Sequence, residues 1–202
     1  MNISKKLSVF ILNCIKPYVS SISQDDFEIA QYGIEVFCMN LCKIPIIFLL
    51  AYLFNILDYS ILVYILFGLI RNYTWGIHMR TSLTCLILTC VCFFGVVFLS
   101  KALILHIAIK FFISLICIYI LYKYAPADTE ERPCLSEKIR KSNKSKALTL
   151  GFIYILASFI VYNRVISNMF LLSLFIQCLM ISPITYKIFK RRYNNYEYYE
   201  QY

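Results

Sequence analysis

Long apolar runs alternate with short polar connections along this 202-residue chain, and six such runs cover roughly 36–57, 59–75, 83–100, 102–122, 147–163 and 169–189. A helix that crosses a bilayer needs about 20 apolar residues, with a range of about 17–25. The second and fifth runs sit near the lower limit, which suits short, tilted or re-entrant helices. Ahead of the first run, Leu7, Phe10, Ile11, Cys14 and Ile15 fall on one helical face. That pattern predicts an amphipathic helix over 1–22, lying on the membrane surface. The segment has the basic start of an export signal, but Lys16 and Pro17 follow its apolar stretch where a small-residue cleavage site would be needed, so it is expected to be retained. The predicted fold class is therefore all-α: a polytopic integral membrane protein with about six transmembrane helices, forming a single membrane domain over 1–202.

Composition agrees with that class. The chain is 60% hydrophobic and 15% charged, with a mean hydropathy of +0.70, whereas a soluble domain carries about 25% charged residues. The net charge of +9 would suggest a nucleic-acid partner on a soluble protein. Here the basic residues flank apolar runs and read as topology markers, so no nucleic acid is expected. Sixteen of the twenty Lys and Arg residues fall on the N-terminal segment, the second and fourth connections and the C-terminal segment. Only Lys101 and Arg164 fall on the other three connections, while Lys43 and Lys110 lie inside apolar runs. The positive-inside rule then places both termini in the cytoplasm. The long connection 123–146 is expected to be a cytoplasmic loop, extended near Pro126 and Pro133 and helical around Leu135–Lys141. The Tyr-rich segment 190–202 is expected to be a flexible or interfacial cytoplasmic tail.

One cytoplasmic connection carries candidate chemistry. "WGIHMRTSLTC", Trp75 to Cys85, holds one of the chain's two histidines and one of its nine cysteines. On one straight helix His78 and Cys85 would share a face but stand about 10 Å apart along the axis, too far for a thiol–imidazole hydrogen bond. Gly76 offers a break, and Ser82 offers an N-cap for the next helix. Cys85 then occupies the first turn, where the helix dipole favours an anion, and a histidine folding back from the loop would make a nucleophile–base pair. The plainer reading, a solvated boundary histidine beside a cysteine of the apolar core, stands next to it. The cysteines show no CxxC pair and no zinc spacing. HExxH, GxSxG and Walker-type loops are absent too, so neither a metal nor a cofactor is expected.

Three segments resemble one known family. "RNYTWGIHMRTSLTC", with Arg71, Gly76, His78 and Cys85, is similar to the active-site signature of the accessory gene regulator B (AgrB) family. "KYAPADTEERP", Lys123 to Pro133, is similar to that family's cytoplasmic Ala-Pro-Ala-Asp-Thr motif, and "QYGIEVFCMNLCKI", with Gly33, Glu35 and Asn40, is similar to the start of its first span. The resemblance implies a membrane cysteine endopeptidase that removes the C-terminal tail of a quorum-sensing peptide precursor on the cytoplasmic side. Cys85 would attack as a thiolate, with His78 as general base and then as proton donor. The acyl group would pass to a Cys or Ser of the precursor, closing a thiolactone or lactone. The implied partners are an AgrD-like amphipathic propeptide with an acidic tail, the lipid bilayer and a second copy of the chain.

Other residues carry two readings each. Arg71 either holds a substrate carboxylate or braces the His78 loop, or it is a snorkelling anchor at the end of its span. Arg80 fits plain topology charge. Asp128 either orients His78 or serves a turn beside Pro126. Glu35, Asn40 and Lys43 fit structural polar packing or reception of the propeptide, and Glu35 is a candidate partner for Lys43 or Lys110. Lys110, at mid-depth, needs a partner or must snorkel; it and His106 form a second polar stripe, with His106 on the wrong side to serve Cys85. Cys134 reads as an exposed loop thiol, the likeliest competitor of Cys85 in labelling. The rival functions are a non-enzymatic small-peptide exporter, indifferent to Cys85→Ser, and a membrane scaffold.

Overall fold

The computed structural model describes residues 34, 43–77, 79, 82–129, 134 and 136–200. The segment 1–22, Gly33, Glu35, Asn40, His78 and Arg80 lie outside the described residues. The chain divides into two compact units, Met1–Asn55 and Ile56–Tyr202.

In the first unit the described helix is α1 (Lys43–Leu53), short and apolar, with Pro45 in its first turn, where its missing N–H costs nothing. The helix winds down through Phe54 N to Leu50 O at 3.0 Å and Asn55 N to Tyr52 O at 3.0 Å. Asn55 adopts φ 54°, the left-handed conformation in which Asn commonly ends a helix.

The second unit contains α2 (Leu57–Thr74), α3 (Ser82–Ala102), α4 (Ile107–Tyr124), α5 (Glu137–Ile160), α6 (Arg164–Ile181) and the short α7 (Pro183–Ile188) and α8 (Asn195–Glu200). Every described element is helical apart from one isolated bridge. Three helices are long and apolar enough to cross a membrane: Leu83–Ala102, Ile107–Tyr124 and Arg164–Ile181, and they mark the protein as membrane-associated. The two runs expected to be marginal differ from these for visible reasons. Helix α2 carries Asp58 in its first turn and Arg71 in its last. Helix α5 starts ten residues before its apolar stretch: Glu137 to Lys146 is polar, and only Ala147 to Ile160 is apolar. The second part of the expected loop over 123–146, from Glu137 onward, is thus helix, longer than the turn expected around Leu135–Lys141. No Gly or Pro interrupts 137–150, and Lys141 pairs with Glu137 at 2.6 Å across one turn.

Helix α6 is the hub of this unit and packs against α2, α3, α4, α5 and α7. Its candidate span is 56% buried inside the protein, against 28% for α3 and 17% for α4. A helix apolar on all sides is stable when neighbours or lipid cover every face. Met169, Leu171, Leu174, Cys178 and Ile181 are buried on α6, whereas Ile109, Phe111, Phe112, Leu115 and Tyr119 are exposed on α4. Without a hydrophobic drive between helices in lipid, close contact relies on small residues. Gly151 of α5 is such a residue, since a Cβ there would lie 2.5 Å from Leu121 Cδ1 of α4.

Polar side chains close the helix ends remote from the Trp75 turn. Asn163 N-caps α6, accepting from Val165 N at 3.0 Å and Ile166 N at 3.1 Å. Asn168 Nδ2 donates to Ser100 O at 3.2 Å and Leu103 O at 3.0 Å, and Arg164 Nη2 donates to Lys101 O at 3.2 Å, so α6 caps the C-terminus of α3. Lys110 Nζ donates to Ser158 O at 3.1 Å and to Ser167 Oγ, placing its charge on the C-terminal carbonyls of α5. A cation there is favoured by the helix dipole, which explains a lysine in an apolar run. His106 lies at the α3–α4 junction at this same end.

Candidate active site

At the other end of these helices, α2 ends abruptly. Trp75 takes φ 57° and Gly76 φ 115°, the region open to glycine and costly for a side chain. Three elements fix this turn. From the Ala-Pro-Ala-Asp-Thr segment, Ala127 N donates to Thr74 O at 3.0 Å and Ala127 O accepts from Gly76 N at 3.0 Å, forming a parallel bridge between Trp75 and Ala127. From α6, Gln177 Nε2 donates to Thr74 Oγ1 at 2.7 Å and Trp75 O at 2.8 Å, and Met180 O accepts from Ile77 N at 3.4 Å. From α2 itself, Arg71 Nη2 donates to Ile77 O at 2.9 Å, the geometry of a brace across the loop. A Cβ on Gly76 would meet Ile181 Cγ2 at 3.3 Å and Met180 O at 3.4 Å. Gly76 is therefore required twice, by its backbone angle and by the closeness of α6.

Two motifs separated by about fifty residues in the chain are thus one hydrogen-bonded unit. The Ala125–Pro126 peptide is cis, and Tyr186 of α7, buried, donates its hydroxyl to Asp128 O at 2.9 Å and Ala127 O at 3.3 Å. Helix α3 begins at Ser82 itself, one residue earlier than an N-cap role for Ser82 would give. Cys85 still lies in the first turn, half-buried, with its carbonyl accepting from Thr89 Oγ1 at 2.7 Å. His78 lies outside the described residues.

Asp128 is 2% exposed, and its carboxylate is occupied on both oxygens. Oδ1 accepts from Asn195 N at 2.8 Å and Asn195 Nδ2 at 3.4 Å; Oδ2 accepts from Tyr196 N at 2.9 Å and Cys134 N at 3.2 Å. This is an N-cap supplied from another segment, since 195 and 196 open α8 and their amides would otherwise be unpaired. The arrangement is that of the turn-holding role, extended to the C-terminal segment.

That segment is the main surprise of this end. Residues 190–197, expected as a flexible or interfacial tail, fold back on the motif. Tyr193 donates to Tyr124 O at 3.3 Å and stacks edge-on with Tyr124 and Tyr186, at 6.1 and 5.2 Å between centroids. Arg140 lies 3.9 Å from the Tyr196 ring centroid, a cation–π contact. Burial, with the neighbouring phenols and carboxylates, holds Tyr193 well above the usual tyrosine range. Cys134 also corrects the expectation. It is 4% exposed, not an exposed thiol, because its N–H is taken by Asp128 and its carbonyl by Arg140 Nη1 at 2.8 Å.

The sequence did not single out Gln177, Tyr186, Asn195 or Tyr196. Gln177 had a usable signal: it is a lone amide in the last apolar run, and polar groups in membrane helices turn toward the bundle interior. The tail residues had none, as their role depends on a carboxylate sixty-seven residues away. Among the described residues no group of three or more His, Cys, Asp or Glu is placed to hold a metal.

The sequence pattern of the family described as accessory gene regulator B matches residues 8–181. A putative AgrB-like protein of Clostridium acetobutylicum is 31% identical over 171 residues, covering 85% of this chain and 82% of that one. A putative AgrB-like protein of Listeria innocua is 28% identical over 170 residues, covering 84% and 83%. Accessory gene regulator protein B of Staphylococcus aureus is 24% identical over 167 residues, covering 83% and 88%. No solved structure matches the chain. With the family pattern spanning both halves of the hydrogen-bonded turn, the chain belongs to the accessory gene regulator B family.

Proposed function

We propose that this protein is a membrane cysteine endopeptidase that trims the C-terminal tail of a quorum-sensing propeptide and supports its cyclisation. The observation that carries the reading is the pairing of the Trp75–Gly76 turn with Ala127. It joins the two family motifs into one rigid element that leads into His78, four residues before α3 and its first-turn Cys85. In the mechanism His78 takes the thiol proton as Cys85 attacks the scissile carbonyl, and the C–N bond breaks as His78 returns that proton to the leaving amine. A Cys or Ser of the propeptide then attacks the acyl-enzyme, forming the ring and freeing Cys85. Water excluded at the membrane boundary protects that acyl group from hydrolysis. Six spans with both termini cytoplasmic, a bound AgrD-like propeptide and a homodimer complete the reading. Its support is the distribution of basic residues together with the family.

The test is mass spectrometry of a co-expressed or reconstituted amphipathic, Cys-containing propeptide with an acidic tail. Wild type is expected to release the tail, and Cys85→Ala and His78→Ala to leave it attached. Cleavage by Cys85→Ala would refute the peptidase mechanism and favour an exporter.

A further inference from the structure

At the Trp75 end of α4 and α5, three lysines lie on tyrosine rings rather than against carboxylates. Lys123 Nζ is 5.6 and 5.4 Å from the ring centroids of Tyr119 and Tyr124, and it donates to the Tyr119 hydroxyl at 3.2 Å. Lys144 Nζ is 4.6 Å from the Tyr122 centroid, and Lys146 Nζ is 5.6 Å from that of Tyr73. Lys144 therefore reaches from α5 to α4 and Lys146 from α5 to α2, so the row of ammoniums runs across three packed helices. Among the described residues none of the three is paired with a carboxylate, and Glu137, at the start of α5, is taken by Lys141. An ammonium carries three N–H donors, and a ring face holds its charge without using all of them.

The surface beside this row selects its partner. Helix α4 is long and apolar enough to cross a membrane, yet its span is only 17% buried. Toward Lys123, exposed Phe111 and Leu115 of α4 give way to Tyr119 and Tyr122, which are 57% and 64% exposed. On α5, exposed Phe152 and Ile153 give way to Thr149 and then to Lys146. Apolar surface, hydroxyl and ammonium thus succeed one another toward the Trp75 end, the order of acyl chain, interface and headgroup in one leaflet. A free anion or an acidic peptide would match the ammoniums alone and make no use of the apolar columns beneath them.

We propose that Lys123, Lys144 and Lys146, held by Tyr119, Tyr122 and Tyr73, form a binding site for the phosphodiester of an anionic phospholipid, whose acyl chains lie along the exposed apolar faces of α4 and α5. Basic clusters between helices at a membrane surface take such headgroups. A zwitterionic lipid brings its own ammonium to the row and is disfavoured by like charge. The site does not depend on the peptidase reading.

The experiment is native mass spectrometry of the full chain released from nanodiscs that hold phosphatidylglycerol and phosphatidylcholine in equal amounts. Wild type is expected to retain phosphatidylglycerol over phosphatidylcholine by about tenfold or more, the scale of several basic residues acting on one anionic headgroup. The Lys123→Gln, Lys144→Gln, Lys146→Gln triple variant is expected to retain both lipids alike. Lys138→Gln with Lys141→Gln removes two exposed charges from α5 that lie on no tyrosine, and it is expected to leave the preference intact. Tyr122→Leu keeps every charge and is expected to weaken the preference, which decides the matter where the triple variant fails to fold. An unchanged preference in a folded triple variant would overturn the proposal. So would an equal loss in the Lys138, Lys141 pair, since surface charge alone would then explain the binding. Loss of the wild-type preference in excess inorganic phosphate would mark a free-anion site and overturn it as well.

Discussion

The two ends of the α2–α6 bundle solve one problem in opposite ways. At the α3–α4 and α5–α6 junctions, the helix C-termini are closed by Asn168, Arg164 and Lys110 through simple donor-to-carbonyl caps. These caps bridge 48 to 68 residues, but each is a separate contact from one side chain, and none imposes an unusual backbone. At the other end, α2 stops in a left-handed Trp75 and a positive-φ Gly76, held by α6, by the 125–129 segment and, through Asp128, by residues 195–196. One end is built from separate single-side-chain caps that substitution should weaken piecemeal. The other is a cross-linked knot that should fail as a unit, and strained backbone held by its surroundings is the pattern expected of functional sites.

The sharpest way to break the contrast is at Gly76. Gly76→Val is expected to cost about 1–3 kcal/mol of stability and to abolish processing, while Gly68→Ala in mid-α2, whose Cβ would meet nothing within 4 Å, should unfold at the wild-type temperature or slightly above. Equal behaviour of the two would erase the distinction between the ends. Next comes Asp128→Ala, which strands three amides, each worth about 1 kcal/mol or more when buried. Limited proteolysis should then cut within 190–200, and maleimide labelling of Cys134 should accelerate from well below the rate of Cys85 to match it. At the plain end, Asn168→Ala is expected to lower stability by only about 1 kcal/mol, the usual worth of a cap, with tail release unchanged. The smallest effect concerns pH. Burial raises the Tyr193 phenol in the folded state, so its contribution is fully present below the unfolded tyrosine value of about 10 and is lost only as pH rises beyond it. Protection of 190–200 from protease should stay flat across neutral pH and fall in alkali.

Much of this was legible in the sequence because it depends on periodicity and on local residue chemistry. The break at Gly76 and the helix start near Ser82 follow from the conformational habits of Gly and Ser, whereas the left-handed Asn55 that ends α1 falls inside the first apolar run of the sequence. What escaped notice depends on partners far along the chain. Lys110 looked costly until Ser158 and Ser167 were seen to receive it. Cys134 looked exposed because its neighbours are Pro, Ser and charged residues, whereas Asp128 and Arg140 draw its backbone inward. The tail was expected to be flexible or interfacial because its tyrosines suit an interface as well as a packed cluster, and its partners Asp128, Tyr124, Tyr186 and Arg140 lie far back in the chain.

The Asp128 cap also has a consequence for biosynthesis. The loop that braces the Trp75 turn is synthesised sixty-seven residues before the amides that complete it, so it waits unfinished while α5 to α7 are made. A nascent chain lacking residues 195–196 carries both family motifs yet leaves the carboxylate that should fasten them without its final ligands. Maturation of this corner is therefore a late event, and it makes the segment around Tyr193–Tyr196 a poor place for an inserted tag.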